Sequence, residues 1–351
     1  MASHSSRWVA GGNGGLRHSN SSLERNSALR HKFRAGGPGA VNSRTGGLYP
    51  VAKHRVKVMR HNRLLILWKD IRKMRRLRIS AISYLNSAPL MWDFEHGEVG
   101  GRFDISYTLP SACAHALAEG TADIGIIPAA AYSQIPGLLV LPEVAIASRR
   151  AVRSILLVSK MPIDKVRSVA LDTSSMTSVA LTRILFEKWL GGDRTFVPMA
   201  PDVEKMLAEH DAGLVIGDPA LKINRSRYLT LDLAEEWIRY TGQPFVFAFW
   251  AVRSAALAEA DPALDLAAVF RDSRDHGLEP SNLNKIACEW APRLGLSEAA
   301  IYGYLTENIH YQLDAGCLGG LQLFYRYAAE IGALPAAPEL RSVERAKALT
   351  T

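Results

Sequence analysis

Cysteine is scarce: 351 residues carry three, Cys113, Cys288 and Cys317, far apart and with no Cys-x-x-Cys pair. That excludes a disulfide framework and a cysteine-built zinc site, and it suits a reducing cytoplasm. Long apolar runs are missing as well. Leu64-Leu-Ile-Leu-Trp68 spans five residues, far short of the roughly 18 to 20 that cross a bilayer. Lys69, Arg72, Lys73, Arg75 and Arg76 follow it with no small-residue cleavage pattern, so neither export nor an integral membrane segment is indicated. No Gly-x-Gly-x-x-Gly follows a strand, and Walker, His-Glu-x-x-His and Gly-x-Ser-x-Gly motifs are absent. Nucleotide hydrolysis, zinc proteolysis and esterase chemistry lose their usual support.

Acidic residues are almost missing from the first 76 positions, which hold 17 Lys/Arg against 2 Asp/Glu, a net +15. The remainder carries 25 against 32, a net −7, although the whole chain has a formal charge of +8. A nucleic-acid-binding fold concentrates its basic groups on the folded body. Here the body is acidic, which excludes that class.

Length predicts two domains of ordinary size. Residues 1–76 stand apart, with Gly-Gly pairs at 11, 14, 36 and 46, scattered Ser, Asn and Arg, and no sustained apolar period. Such a segment buries too little apolar surface to offset its ordering entropy. It reads as a basic, disordered extension, or as upstream sequence joined to a chain whose start is Met74; an organelle transit peptide is a third reading.

From Leu77 onward short apolar strands alternate with helical patterns, the signature of α/β architecture with a largely parallel sheet. The expected strands are 77–83, 103–109, 124–127, 153–159, 169–171, 196–198, 213–217 and 245–252. The expected helices are 87–96, 111–119, 178–190, 203–209, 264–277, 281–294, 297–308 and 319–331. Phe245-Val-Phe-Ala-Phe-Trp-Ala-Val252 is continuously apolar, as a strand buried on both faces would be. The strands near Ser154 and Phe245 bracket a central block and could be crossovers between lobes. The expected division is 77–157 with 247–351 as one lobe and 158–246 as the other, with a ligand cleft between them.

Three motifs place polar groups at strand ends facing such a cleft. In Ser83-Tyr-Leu-Asn-Ser-Ala-Pro-Leu90, Asn86 can donate and accept while Ser87 caps a helix. Asp172-Thr-Ser-Ser-Met-Thr-Ser178 gathers five hydroxyl residues before a helix, suiting a carboxylate gripped without a buried cation. Gly217-Asp218 puts a carboxylate at the end of a strand, able to bind a hydroxyl or take a proton. Each could equally be an ordinary cap. Tyr132 could close the pocket wall or pack in the core. His96, His115, His210, His276 and His310 are scattered over helical stretches and read as surface or structural, and Trp237 and Trp250 as core.

Taken in order, Arg78 to Leu90, Asp123-Ile-Gly-Ile-Ile-Pro128, Ser154 to Ser159, Thr177 to Arg183, Gly217-Asp218 and Gly242 to Trp250 resemble the chorismate dehydratase family of the futalosine route to menaquinone. The resemblance runs from about Leu77 to Ala333; Gln243 stands where the family more often has Leu, and residues 1–76 have no counterpart. It implies a two-lobed fold like that of type 2 periplasmic solute-binding proteins. It also implies conversion of chorismate to 3-[(1-carboxyvinyl)oxy]benzoate and water, a hydro-lyase reaction, with no redox cofactor and no metal. Carried over residue by residue, Asn86 and Asp218 would be catalytic, with Asp218 the weaker assignment. Ser87, Ser154, Ser174, Ser175 and Thr177 would bind substrate. The pattern assigns no base for the ring proton, and the substrate's own carboxylate is chemically able to serve.

Two rivals share the fold. A solute-binding protein should carry an export signal, and the related enzyme forming 1,4-dihydroxy-6-naphthoate opens on a Ser-Pro-rich motif absent here. Replacing Asn86 or Thr177 by Ala is expected to cost stability near the roughly 1 kcal/mol of a lost cap. Phe247→Ala is expected to cost about 3 to 5 kcal/mol as a core truncation.

Overall fold

The computed structural model of the chain describes residues 75–261 and 263–343, all within one compact unit, Met59–Thr351. The expected extension, including Met74, lies outside the described residues apart from Arg75 and Arg76. Arg75 and Arg78 both donate to the carboxylate of Asp123, which is wholly buried at the start of the third strand.

Two five-stranded sheets carry the fold. The first contains β1 (Leu77–Ile82), β2 (Phe103–Thr108), β3 (Ile124–Pro128), β4 (Leu138–Ser148) and β10 (Phe245–Arg253), in the order β2-β1-β3-β10-β4. The second contains β5 (Ile155–Ser159), β6 (Ser168–Asp172), β7 (Thr195–Met199), β8 (Ala212–Ile216) and β9 (Leu229–Asp232), in the order β7-β6-β8-β5-β9. Both follow one plan. Three strands run parallel, and the fourth and fifth run antiparallel to their neighbours. The sheets are thus mixed rather than largely parallel. β10 and β5 each enter directly from the opposite sheet, so the crossover-helix connection that enforces parallel pairing does not act on them.

The chain changes sheets between Ser148 and Ile155 and again between Asp232 and Phe245, just outside the strands near Ser154 and Phe245 rather than inside them. Asp232 binds the two crossovers to each other. Its buried carboxylate accepts from the N–H groups of Val152 and Arg153 on one, and of Ala234 and Glu235 on the other. The last two bonds also cap the helix Leu233–Thr241.

β4 and β9 were not expected from the sequence. In β4, Leu138-Leu-Val-Leu-Pro-Glu-Val-Ala-Ile-Ala-Ser148 is broken by Pro142 and by Glu143, whose φ is +65°. The pairing with β10 jumps register there, so the two halves read as separate fragments. Among the helices, α1 (Pro110–Ala118) has Pro at its first position, where no N–H is needed. α2 (Thr177–Ile184) runs on into a wide π turn, Leu185–Leu190. After β10 come α3 (Leu266–Gly277), α4 (Pro280–Leu294), α5 (Glu298–Gly303), a π turn Tyr304–Asn308, and α6 (Ala315–Glu330).

β10 lies between β3 and β4, which is why its sequence has no polar face. Phe249 and Trp250 are fully buried, with Phe249 edge-on to Tyr132 and Trp250 edge-on to Phe270. Phe247, by contrast, lines a cavity between the sheets and is a poor packing control. Phe249→Ala is the clean one. It should cost about 3 to 5 kcal/mol of folding stability, measured by denaturant unfolding, while activity per folded molecule is kept.

Candidate active site

The strand ends of both sheets meet around a cleft whose mouth and interior together hold about 420 Å³ not filled by protein atoms, part of it open solvent. Ile146, Ile155, Ile216 and Phe247 form apolar walls. Polar groups enter from three segments: Tyr84 and Asn86 after β1, Ser175, Thr177 and Ser178 at the start of α2, and the Gly217 turn after β8. No Asp, Glu, His, Lys, Arg or Cys lines it; the Tyr84 phenol is its one ionisable group, and burial raises that phenol's pKa.

Each segment is held by local chemistry. The strand ending at Asp172 turns into α2 because Asp172 Oδ1 accepts from the N–H (2.8 Å) and the hydroxyl (2.6 Å) of Ser174, while Oδ2 accepts from Ile216 N–H. Ser175 Oγ accepts from Ser178 N–H at 3.2 Å, opening the helix. After β8, Gly217 has φ +66°, and a Cβ there would sit 2.4 Å from the Tyr84 ring. Only glycine lets this turn approach so closely.

Among the hydrogen bonds that cross between the lobes, four lie close to the cleft. Ser111 N–H donates to Ser174 C=O at 3.1 Å. Thr177 Oγ1 accepts from Ala130 N–H and donates to Phe247 C=O, both at 3.1 Å. Leu85 N–H donates to Asp218 Oδ1 at 3.0 Å. Burial pushes the Asp218 carboxyl up to about 6, against the Leu85 N–H and Lys222, which lower it.

Of the residues singled out in the sequence, Asn86, Ser175 and Thr177 line the cleft. Ser174 is turned onto Asp172, and Ser87 lines a neighbouring cavity that shares Ile82 and Tyr84 with the first. Ser154 is fully buried beneath the cleft; its hydroxyl accepts from Tyr304 and its C=O from Gly217 N–H. Asp218 lies on the lobe seam, one residue beyond the lining Gly217. Tyr132 does not reach the cleft: its hydroxyl bonds to backbone carbonyls of Leu138 and Glu339, so it is a core residue. No histidine lines the cleft. Outside it, ligand atoms of His310, Asp314 and Cys317 lie within 4.8 Å of one another. There Asp314 already caps α6 through Cys317 N–H and pairs with both Arg149 and His310, which accounts for the cluster as a helix cap with its ion pairs.

The sequence reading missed Tyr84, Ser178 and Tyr304. Tyr84 and Ser178 sat inside quoted motifs, overshadowed by their neighbours, whereas Tyr304 is some 150 residues from Ser154 and carried no signal.

Two mixed sheets with β10 and β5 exchanged across paired crossovers, and a hydroxyl-lined cleft at their strand ends, define a two-lobed binding-protein fold. The solved structures agree. Protein AF1704 of Archaeoglobus fulgidus superposes with a TM-score of 0.59 at 17% identity, over 74% of this chain and 98% of that one. The periplasmic aliphatic sulphonate binding protein SsuA of Escherichia coli gives 0.54 at 17%, over 75% and 89%. Within that fold the chain belongs to the menaquinone biosynthesis family, whose model matches residues 77–330. A chorismate dehydratase of Thermus thermophilus is 29% identical over 273 residues, 73% of this chain and 94% of that protein.

Proposed function

We propose that the protein is a chorismate dehydratase, converting chorismate to 3-[(1-carboxyvinyl)oxy]benzoate and water as a carbon–oxygen lyase of menaquinone biosynthesis. Family membership and the Thermus relative support the substrate. The observation that carries the chemistry is the cleft lining: neutral hydroxyls, one amide and a helix N-terminus, with the Tyr84 phenol as the one ionisable group and no carboxylate, imidazole or cation.

That lining suits a substrate bearing its own charges. A carboxylate is held by the Ser175 hydroxyl, whose proton has no other partner among the described residues, and by N–H groups at the positive end of α2, while Thr177, whose one proton goes to Phe247 C=O, holds the cleft walls together. Asn86, opposite, offers a donor and an acceptor to the ring substituents. In the reaction a C–H bond breaks at the ring carbon bearing the enolpyruvyl ether, and a C–O bond breaks at the adjacent carbon. The electron pair left behind completes the aromatic ring, and proton and hydroxide leave as water. With no protein carboxylate in contact, the proton passes to the substrate's enolpyruvyl carboxylate, tethered through the ether oxygen to the carbon that loses it. The protein's contribution is orientation and exclusion of water by the apolar walls. No residue of the site calls for a cofactor or metal, and none for nucleic acid. Among the described residues no helix is long and apolar enough to cross a membrane. The reading of a cytoplasmic enzyme rests instead on the three scattered cysteines, which suit a reducing compartment.

Incubation of the purified protein with chorismate should consume it and yield the aromatic enolpyruvyl ether, followed by absorbance and mass spectrometry, without added metal or nucleotide and unaffected by EDTA. Recovery of unchanged chorismate, with tight binding of another small solute, would replace this reading with that of a binding protein.

A further inference from the structure

A separate cavity opens where the lobes join, and it shares no lining residue with the cleft. It holds about 690 Å³ not filled by protein atoms, part of it open solvent. One wall comes from the second lobe and the crossover, with Arg153, Leu221, Asn224 and Arg225. The other comes from the first lobe, with Leu85, Ile301 of α5 and Tyr304 of the π turn that follows it. Arg153 and Arg225 are its only charged residues, although the folded body as a whole is acidic. Neither guanidinium has a carboxylate partner among the described residues.

Local geometry fixes both arginines. Arg153 stands at φ +64°, a left-handed conformation that glycine adopts freely and a residue with a Cβ only under constraint. The constraint is Asp232, whose Oδ2 accepts Arg153 N–H at 2.7 Å. A glycine would make this turn without strain, so what arginine adds is a guanidinium at the cavity wall. Arg225 donates through Nη2 to Arg153 C=O at 3.2 Å, which anchors its guanidinium against the crossover and leaves its other N–H donors for a ligand. The Asp232 carboxylate is buried and already accepts from four backbone N–H groups.

We propose that this cavity is a second ligand site, which takes a small aromatic carboxylate: Arg153, Asn224 and Arg225 hold the carboxylate, and Leu85, Leu221 and Ile301 cover the ring. The arginine fork matches a carboxylate's two oxygens, and the apolar wall opposite favours an anion with a ring over a bare hydrated one. The product of the proposed reaction belongs to this class. The cavity also backs onto supports of the active site. Leu85 directly precedes Asn86 and donates to Asp218, while Tyr304 donates to Ser154. A ligand touching walls of both lobes favours the arrangement in which those walls face each other. Exchange of substrate and product requires the lobes to part across the Thr177 bonds, so occupancy slows turnover without competing for the cleft. That kinetic consequence rests on the dehydratase reading; the binding does not.

The probe is 3-hydroxybenzoate, with inorganic phosphate as the anion that lacks a ring. 3-Hydroxybenzoate should raise the unfolding temperature of wild type by an amount that grows with its concentration. The rise should persist in Ser175→Ala, altered in the cleft, and in Arg227→Gln, whose guanidinium pairs with Glu204 outside the cavity. In Arg225→Gln the apparent Kd should increase at least about tenfold, the scale of a lost charge-assisted contact. Ala300→Trp fills the cavity from an exposed position while keeping both arginines, and should weaken binding as much. In turnover assays the same compound should lower kcat and KM together in wild type. Arg225→Gln, itself within about twofold of wild type, should escape that inhibition. No stabilisation of wild type, equal stabilisation of Arg225→Gln or Ala300→Trp, or phosphate acting as well as 3-hydroxybenzoate would overturn the proposal. So would purely competitive inhibition. Failure of wild type to dehydrate chorismate would strike the functional reading instead, and the unfolding measurements would still decide the site.

Discussion

Asp218→Asn should make the protein more stable at pH 7 than wild type, by roughly 1 to 3 kcal/mol, while leaving turnover within about threefold. The carboxyl is mostly buried and pushed up to about 6, above its ordinary value of 3.8. Between about pH 4 and 6 the folded state therefore binds more protons than the unfolded state. Wild-type stability falls as pH rises through that window and is level above it. An amide of the same shape carries no charge to desolvate and still accepts from Leu85 N–H. The gain should vanish below about pH 4, where the wild-type carboxyl is protonated in both states, as thermal unfolding at several pH values would show. Asp218→Ala should behave differently. Leu85 N–H loses its partner, the segment bearing Asn86 comes loose, and kcat/KM should fall about tenfold or more. A fall of 10² to 10⁴ in Asp218→Asn would instead be that of a lost general acid or base. It would make Asp218 the proton acceptor rather than a clamp.

Thr177→Ala should cost both stability and rate. The hydroxyl is buried, and both of its bonds reach across the cleft to the first lobe. Its removal leaves the Ala130 N–H and the Phe247 C=O without partners, each worth about 1 to 3 kcal/mol. The expected loss is therefore roughly 2 to 6 kcal/mol, above the 1 kcal/mol of a simple cap, together with at least a tenfold drop in kcat/KM. Thr177→Ser keeps the hydroxyl and should restore most of both. Asn86→Ala, which cuts no bond between lobes, should lose rate at similar scale with stability nearly intact. An active, unstable Thr177→Ala would mark the residue as a clasp and nothing more.

Local pattern exposed most of the elements, because each is decided by forces within a few residues. Hydrophobic periodicity located β1, β2, β3 and β10, and the hydroxyl cluster before α2 marked a helix start. It failed where tertiary pairing overrode local sequence. β4 is continuous only because β10 holds both halves across the break at Pro142 and Glu143. β9 is a four-residue edge that exists as a strand by pairing with β5. The site was legible in the same measure. Asn86, Ser175 and Thr177 could be named because strand ends followed by hydroxyl or amide residues face a cleft in any two-lobed α/β fold.

What the sequence determined by itself is the two-lobed α/β class, the acidic body and the segments that supply polar groups, since these follow from composition and periods of two and 3.6 residues. Which hydroxyls face substrate was decided only by the tertiary structure. Ser174 is consumed by Asp172, Ser154 by Tyr304 and Thr177 partly by the opposite lobe, whereas Ser175 lines the cleft. A hydroxyl's partner is whatever folding brings within 3 Å. For Ser154 that partner lies 150 positions away in the chain, beyond the reach of any local pattern.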